Sequence, residues 1–130
     1  MSGRTLIIVV TAVVAAAIAA GLVVHGSPAL ARERRFDERR MEDLDEIVLA
    51  IDSRFAATSA LPQTLGDLDR ALSDAARLRD PVTQNPYEYL VRSTDQYELC
   101  AVFSQASTNR YRPHGAGRWC SPHRARPRPR

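Results

Sequence analysis

Lysine is absent from this 130-residue chain: all 18 basic residues are arginine. Loops, helices and the C-terminal end are all affected, which points to a GC-rich genome and not to a specialised surface. Cysteine is nearly absent, with only Cys100 and Cys120 present. Neither belongs to a Cys-x-x-Cys redox pair or a Cys-x-x-Cys-His haem motif. A strong charge imbalance is also missing. The net charge is +3, and removing His123–Arg130, which holds four arginines and no acid, would bring it to −1. The isoelectric point of about 9.3 therefore comes from one end of the chain, and specific nucleic-acid binding is not expected. Catalytic signatures are lacking as well. His25, His114 and His123 fall in segments that read as linker, loop and tail, with no Ser or Cys nucleophile at elbow spacing. Gly115-Ala116-Gly117 lacks the strand, helix and lysine of a phosphate cradle. Asp43, Asp45 and Glu46 sit in a heavily charged helical stretch and read as solvent-facing carboxylates. Neither an enzyme nor a resident cofactor or metal is expected.

Charge is missing altogether from Leu6–Val24, nineteen residues. As a helix this run is about 28 Å long, close to the hydrocarbon thickness of a bilayer. Two readings compete for it. A cleaved signal peptide is suggested by Arg4 and by Ala29-Leu30-Ala31, with cleavage after Ala31, but its apolar region normally spans roughly 7–15 residues. The longer run here, followed by His25-Gly26-Ser27-Pro28, favours a retained single-pass membrane helix. Ala12, Ala16 and Ala20, and likewise Ala17 and Gly21, recur at a four-residue spacing that lets membrane helices approach closely. Alanine-richness alone gives the same spacing.

Over the whole chain 25% of residues are charged and 45% hydrophobic, a composition that folds. Residues 1–28 are read as the anchor, 29–120 as one small α+β domain, and 121–130 as a disordered Arg/Pro tail. Phe36, Met41, Leu44, Ile47, Val48, Ile51 and Phe55 recur mostly at three- and four-residue steps and predict an amphipathic helix. Its polar face carries Arg39, Glu42, Asp43, Glu46 and Arg54. Leu61-Pro62 ends that helix, and Thr64 with Asp67 caps a second short helix bearing Leu65, Leu68, Ala71, Leu72 and Ala75, ending near Leu78. Tyr87, Tyr89 and Val91, then Tyr97, Leu99, Ala101 and Phe103, alternate with polar residues around Ser93-Thr94-Asp95, which predicts an antiparallel hairpin. His114–Cys120 is a short return segment that offers a third strand. The alternating Arg-Pro run at the end is extended. Its arginines suit contact with anionic lipid head groups at roughly 1 kcal/mol each, and a merely solvated end fits equally.

Cys100 and Cys120 form a structural disulfide in one reading, which would contribute roughly 3 kcal/mol by closing a loop of about twenty residues. In the sharper alternative, Cys100, His114, Cys120 and His123 converge on zinc, although their spacing matches no compact finger. Arg118 and Trp119 are of the residue types favoured at protein interfaces, while Trp119 packed over the adjacent bridge is the plainer reading.

The order of parts resembles type IV pilin-like proteins, especially the type II secretion pseudopilins. The likeness rests on Leu61-Pro62-x-Thr64-Leu65-x-x-Leu68, on Asp80-Pro81-x-Thr83-x-x-Pro86-Tyr87-Glu88-Tyr89 and on Tyr97-Glu98-Leu99-Cys100, and spans about residues 5–103. It implies a membrane helix running on into a globular domain and packing on a small antiparallel sheet, with the Asp-Pro…Pro-Tyr-x-Tyr run marking the turn into the first strand. The departures concern function. Gly3-Arg4-Thr5-Leu6-Ile7-Ile8 keeps the frame of a prepilin peptidase site but has Arg at the Phe position and Ile at the Glu position, so filament assembly is not expected. Gln84 stands where a turn glycine is common. Asp80 and Asp95 lack the further oxygen donors that a calcium ion with roughly 6–8 ligands requires.

Orientation is pulled two ways. Arg32, Arg34, Arg35, Arg39 and Arg40 follow the apolar run while only Arg4 precedes it, which alone would hold the domain in the cytoplasm. The signal-like start, the cysteine pair and the resemblance place it outside. The expected protein is bitopic, held in the cytoplasmic membrane through Leu6–Val24. It presents a pilin-like domain to other envelope proteins in a structural or interaction role. A soluble exported binding domain and a small Cys/His metal-binding protein are the alternatives.

Overall fold

In the computed structural model, residues 2–25, 27–68, 72 and 75–126 are described. The chain divides into two compact units, Met1–Arg32 and Glu33–Arg130.

Helix α1 (Gly3–His25) is about 35 Å long at 1.5 Å per residue. Ser2 opens it, its carbonyl accepting from the Thr5 and Leu6 amides at 2.9 and 3.2 Å. From Leu6 to Val24 every side chain is apolar, small or hydroxyl-bearing, and all are exposed. A helix apolar on every side needs an apolar surround, and this one is long and apolar enough to cross a membrane.

Helix α2 (Pro28–Thr58) has Pro28 at its first position, where a missing N–H costs nothing. Ser27 serves as N-cap, with Oγ accepting from the Leu30 amide at 3.2 Å. The helix stops at Ser59, whose φ of 56° is left-handed and whose amide closes on the Phe55 carbonyl at 2.7 Å, a C-terminal cap. The expected stripe is buried from Met41 onward: Leu44, Ile47 and Ile51 are buried together with Ala50, with Met41, Val48 and Phe55 packed beside them, whereas Phe36 is half-buried and outside this core.

The second helix differs from expectation. Among the described residues the segment forms two single 3₁₀ turns, Leu65–Leu68 and Ala75–Leu78. Gly66 disfavours α-helix by about 1 kcal/mol, and the Asp67 carboxylate bonds back to the amides of Gln63 and Thr64 at 3.0 and 3.1 Å. The expected capping group is thus present, but it holds a turn. Ala71 lies outside the described residues, while Leu65, Leu68 and Leu78 reach the core.

The sheet has three antiparallel strands in the order β1 (Glu88–Val91), β2 (Gln96–Phe103), β3 (Gly117–Arg124). The hairpin is the expected one, with Tyr89 opposite Leu99 and Val91 opposite Tyr97. β3 runs further than expected, pairing Phe103 with Gly117 through to Gln96 with Arg124. The tail therefore does not begin at Ser121. Pro122 sits on an edge strand, where its missing N–H need not face a partner. Ala125 is buried and its amide donates to the Asp95 carbonyl at 2.8 Å. Residues 127–130, with Arg128 and Arg130, lie outside the described residues.

Tyr97, Leu99, Ala101 and Phe103 project from one face of β2 into the α2 stripe and are at most 5% exposed. A fully buried side chain of this kind contributes roughly 1.5–3 kcal/mol. The Tyr97 hydroxyl is buried without a hydrogen-bond partner. Tyr87, by contrast, donates to Asp43 Oδ2 at 3.0 Å. Replacing an unpaired buried hydroxyl with hydrogen removes a desolvation cost. Tyr97→Phe should therefore leave the urea midpoint of the full chain in detergent unchanged or raise it. Tyr87→Phe should lower stability by about 1–2 kcal/mol.

Candidate functional site

Strand alternation decides where the candidate residues go. In β3, Arg118 and Cys120 share one face with Cys100, Glu88 and Glu98, while Trp119, Ser121 and His123 share the other with Tyr97 and Phe103. Arg118 and Trp119 therefore do not form one patch. The Arg118 guanidinium grips Glu88 through Nε at 3.1 and 3.2 Å and through Nη2 at 2.7 Å. That hydrogen bond holds the Glu88 carboxyl below the usual carboxylate range. Trp119 points inward, edge-on to Phe103 at 5.9 Å and to His114 at 6.1 Å, and does not cover the bridge.

Cys100 and Cys120 are directly opposed across β2 and β3 and joined by a disulfide. The zinc alternative fails at its first requirement, since bonded sulfurs are not thiolate ligands. The two histidines are engaged elsewhere. His114 stacks on Phe103 at 3.8 Å and His123 on Tyr97 at 5.5 Å. His123 thus belongs to β3 and not to a tail, and burial lowers its pKa against the pull of Asp45 and Asp52. Among the described residues no group of three or more His, Cys, Asp or Glu side chains is placed to hold a metal.

The main departure from expectation is a buried polar network on α2. Asp37, Arg40, Asp43 and Asp80 are between 2% and 7% exposed. Arg40 donates through Nη1 to Asp37 at 2.7 Å and through Nε and Nη2 to both oxygens of Asp80. Asp37 also accepts from the Ser104 and Gln105 amides, both at 2.9 Å. Asp80 accepts from the Val82 and Thr83 amides at 2.8 and 2.9 Å. Asp43, expected at the solvated surface, is instead buried beneath Tyr87 with Arg39 at 3.3 Å and Arg77 at 3.9 Å. The sequence did carry a signal. Asp37, Arg40, Leu44, Ile47 and Ile51 follow a 3-4-3-4 spacing, so the two charged residues continue the buried stripe.

Environment divides the two aspartates. For Asp43, burial raises the carboxyl pKa and outweighs the Tyr87 hydrogen bond and the Arg39 and Arg77 charges. For Asp80, burial is outweighed by the Arg40 hydrogen bond and the Thr83 and Val82 amides, and the pKa is lowered. Burial and the facing Asp43 hold the Tyr87 hydroxyl protonated far above its ordinary range.

Two surface grooves flank this network. One, about 280 Å³, lies between α2 and the 105–114 loop and is lined by Glu38, Met41, Glu42, Ser107, Asn109 and His114. The other, about 340 Å³, runs past Asp80, Tyr87, Glu88, Cys100 and Val102. The loop of the first groove is tethered by Arg112 to Asp45 and by Gln105 to Glu33 and Arg34. It leaves Tyr111 94% exposed. Of the four arginines assigned to the tail, Arg124 lies in β3 and pairs with Asp95 at 3.3 Å. The Arg126 amide donates to Asp52 at 3.0 Å. Comparison with protein-family models, with curated proteins and with solved structures finds no match to this chain.

The opposite shifts predict opposite pH dependences. The Asp80 carboxyl is held below the ordinary aspartate value of 3.8, so its stabilisation is complete above that value and is lost as pH falls through the lowered folded value. The Asp43 carboxyl is held above that value, so its cost is absent below it and grows as pH rises through the raised folded value. In urea titrations from pH 2 to 7, Asp80→Asn should trail the natural chain by a constant margin above about pH 4 and by a shrinking one below it. Asp43→Asn should gain on the natural chain as pH rises above about 4.

Proposed function

We propose that the chain is a single-pass protein of the cell envelope, held in the cytoplasmic membrane by α1, with its α+β domain outside. We read that domain as pilin-like in layout, non-enzymatic, and structural or protein-binding in role. The observation that carries this reading is the pairing of a helix that is uncharged and exposed on all sides from Leu6 to Val24 with a disulfide in the other unit. The helix needs lipid, and the bridge needs an oxidising compartment. The domain supplies two surfaces for a protein partner: the α2–loop groove with exposed Tyr111, and the charged outer face of the sheet. The residual basic charge at the end of the chain suits anionic head groups, and specific nucleic-acid binding is not part of the reading. The acid and aromatic of a processed prepilin are replaced by Ile8 and Arg4, which supports a permanent membrane component and not a filament subunit.

Two measurements on intact cells test this. The protein should stay with membranes through a high-salt wash, whereas recovery in the soluble fraction would favour an exported domain cut after Ala31. Cys100 and Cys120 should react with an impermeant maleimide only after reduction. Free thiols reached only by a permeant reagent would place the domain in the cytoplasm and overturn the proposal.

A further inference from the structure

The Cys100–Cys120 bridge spans two strands of different standing. Cys100 is on the central strand, flanked by β1, and is 1% exposed. The Glu88–Arg118 ion pair lies over that flank, since Glu88 is the β1 residue directly opposite Cys100. Cys120 is on the edge strand with no further strand beyond it among the described residues, and is partly exposed. An incoming thiolate therefore meets a buried cysteine on one side and a partly exposed one on the other. The Arg118 Nη2 also lies 3.6 Å from Cys100 Sγ, within reach of a charge-assisted hydrogen bond to the large sulfur atom.

We propose that this bridge is a thiol-modification site with a fixed direction, in which a small thiol adds to Cys120 and Cys100 departs. The thiolate forms a new bond to Cys120 Sγ. The Cys100–Cys120 bond breaks, and its electron pair stays on Cys100 Sγ. Arg118 steadies the departing thiolate until solvent protonates it. One disulfide is consumed and one made, so the step needs no oxidant or reductant beyond the thiol itself. The ligand class is a low-molecular-weight thiol or a cysteine of a partner protein. Arg118 takes on a role here that a purely structural bridge does not require. The site holds whether or not the domain proves pilin-like.

The purified full chain in detergent, incubated with excess glutathione, quenched in acid and alkylated with N-ethylmaleimide, gives the test by peptide mass mapping. Glutathione should appear on Cys120 and maleimide on Cys100, in about tenfold excess over the reverse pattern. Arg118→Gln removes an exposed pair of small consequence for stability. It should keep the natural melting curve while slowing adduct formation about fivefold. Adduct on Cys100, an even split, or a bridge inert until the chain is denatured would each overturn the proposal. So would an Arg118→Gln rate equal to that of the natural chain. None of these outcomes bears on membrane retention, which the fractionation measures separately.

Discussion

The guanidinium of Arg40 lies between Asp37 and Asp80 with almost no access to water, and three parts of the Glu33–Arg130 unit meet there. Through Asp37 it reaches the backbone leaving β2, and through Asp80 the turn that enters β1. Helix, turn and sheet are held in one register by hydrogen bonds that only this arrangement satisfies. Taking three charges out of water is costly, and apolar residues of the same volume would often be as stable or more so. What the charges add is direction. A greasy contact tolerates sliding, whereas a guanidinium fork with fixed acceptors does not. The neighbouring Asp43–Tyr87 pair repeats the device one turn along the helix.

Much of this unit is legible in the sequence because periodicity reports burial directly. The 3–4 stripe of α2 and the alternation of Tyr97, Leu99, Ala101 and Phe103 name the core nearly residue for residue. The disulfide follows from having only two cysteines in a chain that begins with a signal-like segment. Properties set by partners distant in sequence cannot be read this way. Asp43 looks like a surface acid until Tyr87, forty-four residues away, is placed over it. Asp80 looks like a turn former until Arg40 arrives from α2.

The remaining differences have local causes. Leucines recur at helical steps through Leu65–Leu78, but Gly66 and the back-bonding Asp67 favour a tight turn. Proline and arginine at the end of the sheet look like the start of a tail. An edge strand tolerates both, with Pro122 at a position needing no partner and Arg124 paired with Asp95. Arg118 and Trp119 are adjacent in the sequence, yet a strand separates adjacent residues onto opposite faces.

The strand order β1-β2-β3 has each strand beside the one made before it. The first pairing closes over a short turn. The second must first gather the segment from Ser104 to Ala116, whose closure entropy grows with the logarithm of its length. Docking of β3 is therefore the more entropically costly of the two pairings, and it carries Cys120 with it. Oxidation at that moment turns a reversible docking into a latched one. The bridge thus works as a ratchet on one edge of the sheet: once closed, β3 can loosen from β2 but cannot leave it.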